Sequence, residues 1–404
     1  MATTTARHAL GWLVAANAVG VLLAALLLWP GLNGQLGALT YGRWMPLHMN
    51  WQLYGWCSLP LVGALGAWLL ATDDARGTRE FAWAMRAWTL ALALGGVSWL
   101  AGVTSGKLFL DWHGWARPLL PLAMIGLWLV FARAAARSWG NWSIAGRVMR
   151  GAVLAVLAAV PGVMLWSMGR EVYPSVNPDS GGATGAALLG STLVFVALAV
   201  WLPHALGLSR ARGRSAAWFW IALAGSGGAF AGMDHGDTTH HALGQIVGLG
   251  VLLAWVPLLV VYLRGFGWPM AARRWLVAGA AWWALLVATG WWMFLPGESE
   301  RWKFTHLLVA HAHLAMAGVV TCLGATVLVA LGRGPGGGAG AFWLWQLGLV
   351  AHLASLSALA IGEGTDAAGF FGGADWVTAG LAVRLAAGVA MLGASIAWLK
   401  EAAK

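Results

Sequence analysis

Apolar residues in this chain do not alternate with polar ones. They gather into blocks of about 18 or more, separated by short polar connections. Such blocks are too long and unbroken for barrel strands, and in lipid only helices or closed barrels satisfy their own backbone. Twelve spans are predicted, near 8–29, 46–71, 82–103, 117–136, 148–168, 184–208, 215–233, 239–263, 275–295, 304–331, 341–362 and 376–399. Gly334-Pro335-Gly336-Gly337-Gly338 is a low-complexity linker, and no strong repeat or soluble domain is evident. The expected fold is all-α: a polytopic membrane helical bundle of about 12 transmembrane helices, one domain over 1–404. The first block follows Arg7 and His8. It is long and lacks a small-residue cleavage site before Trp29-Pro30-Gly31, so it reads as an uncleaved span rather than a signal peptide.

Composition excludes a soluble domain: 60% of residues are hydrophobic and 9% charged, with mean hydropathy +0.73. The partner this implies is membrane lipid. The net charge of +10 is no nucleic-acid signal, because the arginines are confined to short loops. Arg133, Arg137, Arg147 and Arg150 follow the fourth span, Arg210, Arg212 and Arg214 the sixth, and Arg264, Arg273 and Arg274 the eighth. Asp234 and Asp237 follow the seventh, and Glu363, Asp366 and Asp375 the eleventh. The positive-inside rule then puts even-numbered connections and both termini in the cytoplasm, as expected of a bacterial-type inner membrane protein. Many of the 30 tryptophans lie at span ends, where indoles favour the interface. Cys57 and Cys322 fall inside apolar runs, so no disulfide framework is expected.

That topology sorts the histidines by depth. His311 and His313 lie in the outer half of the tenth span, His48 begins the second, His235 ends the seventh, and His240 and His241 begin the eighth. His204, His352, His8 and His113 fall outside this group. On a helix, residues two apart point about 200° apart, so His311-Ala312-His313 offers an imidazole to each of two compartments. Intramembrane histidines are costly and default to functional readings. One reading is a polar cavity or proton path; the other is iron in two hemes, one on each side of the span. A low-spin heme takes two axial ligands from different helices, and His48 has a compatible depth for His313. Arg43, just outside His48, is either a propionate partner or an ordinary interfacial arginine. No C-x-x-C-H occurs, so no c-type heme is attached to this chain.

Asp234, His235, Asp237, His240 and His241 put three histidines and two carboxylates in eight residues. The set suits a divalent first-row metal. It equally suits a solvated loop that hydrogen-bonds propionates or faces a partner subunit.

Gly42-Arg43-Trp44-Met45-Pro46-Leu47-His48 resembles the second-span motif of the cbb-type heme–copper oxidases, and Val309-Ala310-His311-Ala312-His313 resembles their tenth-span His-x-His. Twelve spans with inward termini also match the catalytic subunit of that superfamily, which includes nitric oxide reductases. The resemblance implies a low-spin heme b on His48 and His313 and a high-spin heme b on His311. It implies electrons from a cytochrome c-type or other redox subunit on the outer side, and reduction of O2 or NO.

The chain departs from the family at the second metal. There, copper is held by a sixth-span histidine and a His-His pair ending the seventh span. Here the first falls near Ala183-Thr184 and the pair at Asp234-His235, or alternatively at His240-His241. The oxidase tyrosine falls near Gly228, the reductase glutamates lack a clear match, and no string of ionisable residues leads from the cytoplasm. Tight copper binding is therefore not expected. A dihaem electron-transfer, gas-sensing or structural subunit without turnover is the alternative function, and a transporter using the histidines for protons or metal ions is the third.

Overall fold

The structure is a computed structural model that describes residues 1–71, 73–210, 217–336 and 338–403. Arg212 and Arg214 of the cationic connection, the first two residues of the expected seventh span and Gly337 of the linker lie outside the described residues. The fold is an all-α polytopic membrane bundle, and each of the twelve expected spans contains helix. They are Ala2–Leu28; Tyr41–Asn50 with Trp51–Cys57 and Leu59–Leu69; Ala75–Leu100; Leu119–Ser138; Ile144–Ser167; Gly185–Ala205; Ala217–Ala231; Leu243–Leu263; Met270–Trp292; His306–His313 with Leu314–Val320 and Thr321–Ala330; Ala339–Thr365; and Asp375–Ala403. Among the described residues, nine helices are long and apolar enough to cross a membrane. Not among them are the second span, which is broken into three segments, the third, whose apolar part carries Arg86, and the seventh, a shorter apolar helix. The helix of the third span starts seven residues earlier than hydropathy predicts, where the Asp74 carboxylate accepts the Gly77 amide at 2.7 Å.

Among the described residues, two spans leave regular α geometry. Trp51–Cys57 in the second and Leu314–Val320 in the tenth are π-helical, a widened turn often found at functional sites. One begins three residues after His48 and the other directly after His313.

The chain divides into two compact units. The first comprises Met1–Tyr173, Val327–Trp345 and Gly388–Lys404. In it the first span packs on the second, and the third and fifth pack on the fourth. The second comprises Pro174–Thr326 and Gln346–Ala387. There the eighth span packs on the sixth and ninth, and the ninth packs on the π-helical part of the tenth.

Two expectations change. Many tryptophans are interior rather than interfacial: Trp56, Trp99, Trp112, Trp255, Trp275, Trp345 and Trp398 are almost wholly buried. An indole fills much volume, and burial is tolerable once its N–H is bonded, as for Trp99 to Asp111 O at 3.0 Å and Trp255 to Ser226 Oγ at 3.0 Å. The eighth helix also starts at Leu243, so His240 and His241 lie in the connection ahead of it. The connection before the sixth span folds into a small antiparallel hairpin, Val176–Asn177 on Gly182–Ala183, with Asn177 opposite Gly182.

Candidate functional site

Three histidines share one hydrogen-bonding arrangement. His48 Nδ1 lies 2.8 Å from Ala16 O on the first span. His313 Nδ1 lies 2.8 Å from Val309 O, one turn back on its own helix. A carbonyl only accepts, so each Nδ1 carries the proton and, in the neutral ring, the lone pair sits on Nε2. His311 reaches the same state by a longer route. Thr289 Oγ1 donates to Leu285 O at 2.7 Å. Its remaining capacity is as acceptor, so at 3.2 Å it takes the proton of His311 Nδ1. Histidines that ligate metals through Nε2 are oriented in this way, by a donated Nδ1–H.

Glycines make room for two of these rings. A Cβ on Gly20 would stand 2.8 Å from His48 Cε1, and one on Gly290 would stand 3.0 Å from His311 Cε1. His311 faces Thr289 and Gly290 of the ninth span, whereas the His313 ring centroid lies 4.6 Å from that of His352 on the eleventh. The two-residue spacing thus sends the rings to different neighbours, as helical geometry requires. His352, left out of the sequence-derived group, sits beside His313 and is buried. His306, which opens the tenth span and was not singled out, has Nδ1 3.0 Å from Glu363 Oε2. Arg43 donates Nη1 to Leu100 O at 2.9 Å, its one side-chain hydrogen bond among the described residues.

The segment rich in metal-type ligands separates into two parts. The Asp234 carboxylate accepts Gly236 N at 2.9 Å and Thr238 Oγ1 at 2.7 Å, and these bonds hold it below the usual carboxylate range. The His235 ring packs edge-on against Phe230, centroids 4.7 Å apart. Neither joins His240 and His241. Those two instead meet Asp179, on the hairpin turn, with ligand atoms of all three within 4.8 Å of one another.

Glu300, on the short helix Glu298–Trp302 before the tenth span, sits between the two rings. Its Oε1 is 2.7 Å from His240 Nε2 and 3.1 Å from His241 Nε2. Its own backbone amide, then His240 and the Gly297 amide, pull its pKa down to about 2. Asn177 Oδ1 accepts the Asp179 amide at 3.1 Å, which turns its NH2 toward His240 Nδ1 at 2.7 Å. His240 Nε2 therefore carries the proton and donates to Glu300. A divalent ion held by Asp179, His240 and His241 would displace such protons. Asp179 and Glu300 lie about 60 residues from the pair on either side, a separation that no local motif signals.

His204 is the histidine of the sixth span, and its Nε2 lies 2.9 Å from Tyr262 Oη, which donates to Val200 O at 2.8 Å. It is thereby committed to a tyrosine at the far end of the span from Thr184.

No family model matches this chain. Among curated proteins it is similar to the Cbb3-type cytochrome c oxidase subunit CcoN1 of Stutzerimonas stutzeri, 25% identical over 154 residues. Those residues are 36% of this chain and 32% of the relative, so the match spans about a third of the curated protein.

Proposed function

We propose that this chain is a heme b-bearing redox subunit like the catalytic subunit of heme–copper oxidases, set in a bacterial-type inner membrane with both termini in the cytoplasm. His48 and His313 would hold a low-spin heme b, and His311 would hold a high-spin heme b. The observation that carries the reading is the common state of the three rings, each with Nδ1–H donated to a protein acceptor and the lone pair on Nε2. The partial likeness to an oxidase subunit supports it. When bound, heme supplies one-electron chemistry and an iron that can take O2 or NO. The chain's own part is to fix ring orientation through Ala16 O, Val309 O and Thr289 Oγ1, and to keep bulk away from the rings with Gly20 and Gly290. Electrons enter from an outer-side cytochrome c-type or other redox subunit.

Pyridine haemochromogen analysis of purified protein is expected to report heme b. His313→Ala should abolish the low-spin spectrum, and His311→Ala should leave it. Protein free of heme b would overturn the proposal.

A second reading, a dihaem subunit without turnover, draws on the sixth span, whose histidine is committed to Tyr262. Against it stands the group Asp179, His240 and His241, a nitrogen–oxygen donor set suited to zinc or iron more than to copper(I). Stoichiometric zinc or iron lost in His241→Ala, together with O2 or NO consumption, favours catalysis; metal-free protein with hemes and no gas consumption favours the second reading.

A further inference from the structure

The second unit holds a cavity of about 490 Å³, and none of the histidines lines it. Its walls are apolar side chains of the sixth, eighth, ninth and tenth spans, among them Leu259, Trp275, Ala280, Trp283 and Leu323. The polar atoms on those walls are already used. Trp268 Nε1 donates to Leu263 O at 2.8 Å, Trp283 Nε1 to Trp255 O at 2.9 Å, and Thr326 Oγ1 to Cys322 O at 2.8 Å. Cys322 Sγ faces Gln346 Nε2 at 3.9 Å, and Trp275 is engaged as well.

Two groups differ. Arg264 and Arg273 line the cavity from the connection after the eighth span and the start of the ninth, and both are exposed. Neither guanidinium has a hydrogen-bond, ion-pair or aromatic partner among the described residues. Among the described residues, the site thus pairs two unneutralised cations with an apolar slot that offers no further hydrogen bond. A redox quinone carries no charge for two cations to match, and beyond those guanidiniums the described walls supply no free polar partner for its ring oxygens. An acyl chain needs only apolar wall, and a phosphate fits two guanidiniums. The volume lies within the range of small-molecule sites. Basic pockets between transmembrane helices on the cytoplasmic side suit anionic lipid headgroups, and the cations after the eighth span belong to the connections expected there.

We infer that this cavity seats an anionic phospholipid, with an acyl chain in the slot and the phosphate on Arg264 and Arg273. The inference does not depend on heme.

The test uses full-length protein in detergent. Native mass spectrometry reads the lipids retained after purification. Delipidated protein is then titrated with phosphatidylglycerol, with phosphatidylcholine of the same acyl chains and with inorganic phosphate, and the unfolding midpoint is followed by tryptophan fluorescence. Phosphatidylglycerol should be retained and should raise the midpoint, whereas phosphatidylcholine and inorganic phosphate should not. The double variant R264Q/R273Q should bind phosphatidylglycerol about thirtyfold more weakly, the combined effect of two surface cations on an anionic lipid. R264K/R273K, which keeps both charges, should retain most of the preference. Equal response to the two lipids, an equal effect of inorganic phosphate, or undiminished phosphatidylglycerol binding by the glutamine variant would each overturn the inference. Should the glutamine variant fail to fold, the wild-type comparison of the two lipids decides by itself.

Discussion

An imidazole binds iron well through one nitrogen when the proton on the other has an acceptor. That condition is met by one backbone oxygen or hydroxyl per ring, which makes the residues around the histidines as consequential as the histidines themselves. Gly20 is the sharpest case, since any side chain there meets the His48 ring. Gly20→Val should push the ring off Ala16 O and weaken heme retention at the low-spin site about 10- to 100-fold, the usual cost of losing an outer-shell partner. Heme transfer to an apo-globin acceptor measures this. A Cβ at Gly11 on the same helix meets nothing within 4 Å, so Gly11→Ala should retain heme like wild type. His48, His311 and His313 were legible because they are rare polar groups in apolar runs. Gly20, Gly290 and Thr289 were not, because a glycine or threonine in a membrane helix has many ordinary uses.

At the scale of the element, hydropathy finds a span but not where its helix ends. The third helix runs back to Ala75 because Asp74 caps it and also pairs with Arg137 Nη2 at 2.7 Å. The Gly77 amide, then Arg137, holds the Asp74 carboxyl below its ordinary value of 3.8. A depressed carboxyl contributes stability that is whole above the unfolded value and is lost as pH falls through the folded one. Asp74→Ala should therefore cost about 1 kcal/mol near neutrality, and its deficit against wild type should shrink as the pH drops below about 4. Unfolding midpoints in detergent across that range provide the check; a deficit independent of pH would contradict it. The π-helical turns beside His48 and His313 had no counterpart in hydropathy, since a widened turn leaves the apolar character of a segment unchanged. Lys107 shows the same limit. Its Nζ reaches Ser167 O at 2.7 Å, Gly169 O at 2.8 Å and Val172 O, at and beyond the end of the fifth helix, which no pattern along the chain signals.

For the molecule as a whole, the distribution of arginine and carboxylate over the connections determines the expected sidedness. Reporter fusions test it. A phosphatase that is active only outside the cytoplasm should be active when fused after Asp366 and silent when fused after Arg264. The reverse pattern would invert the assignment and put Arg264 and Arg273 on the outer side.

Sequence by itself determined the architecture and the three histidines proposed to hold heme. Lipid demands internally bonded backbone, so long apolar runs leave helices as the solution, and a polar ring inside such a run is conspicuous. Sequence also pointed to metal-type ligands around His240, but grouped them by proximity along the chain. Only the tertiary structure decided the grouping: Asp234 turns back on Gly236 and Thr238, while Asp179 and Glu300, from distant connections, close on His240 and His241. Side-chain chemistry is carried by residue identity, whereas the meeting of distant side chains depends on how the connections fold over one another.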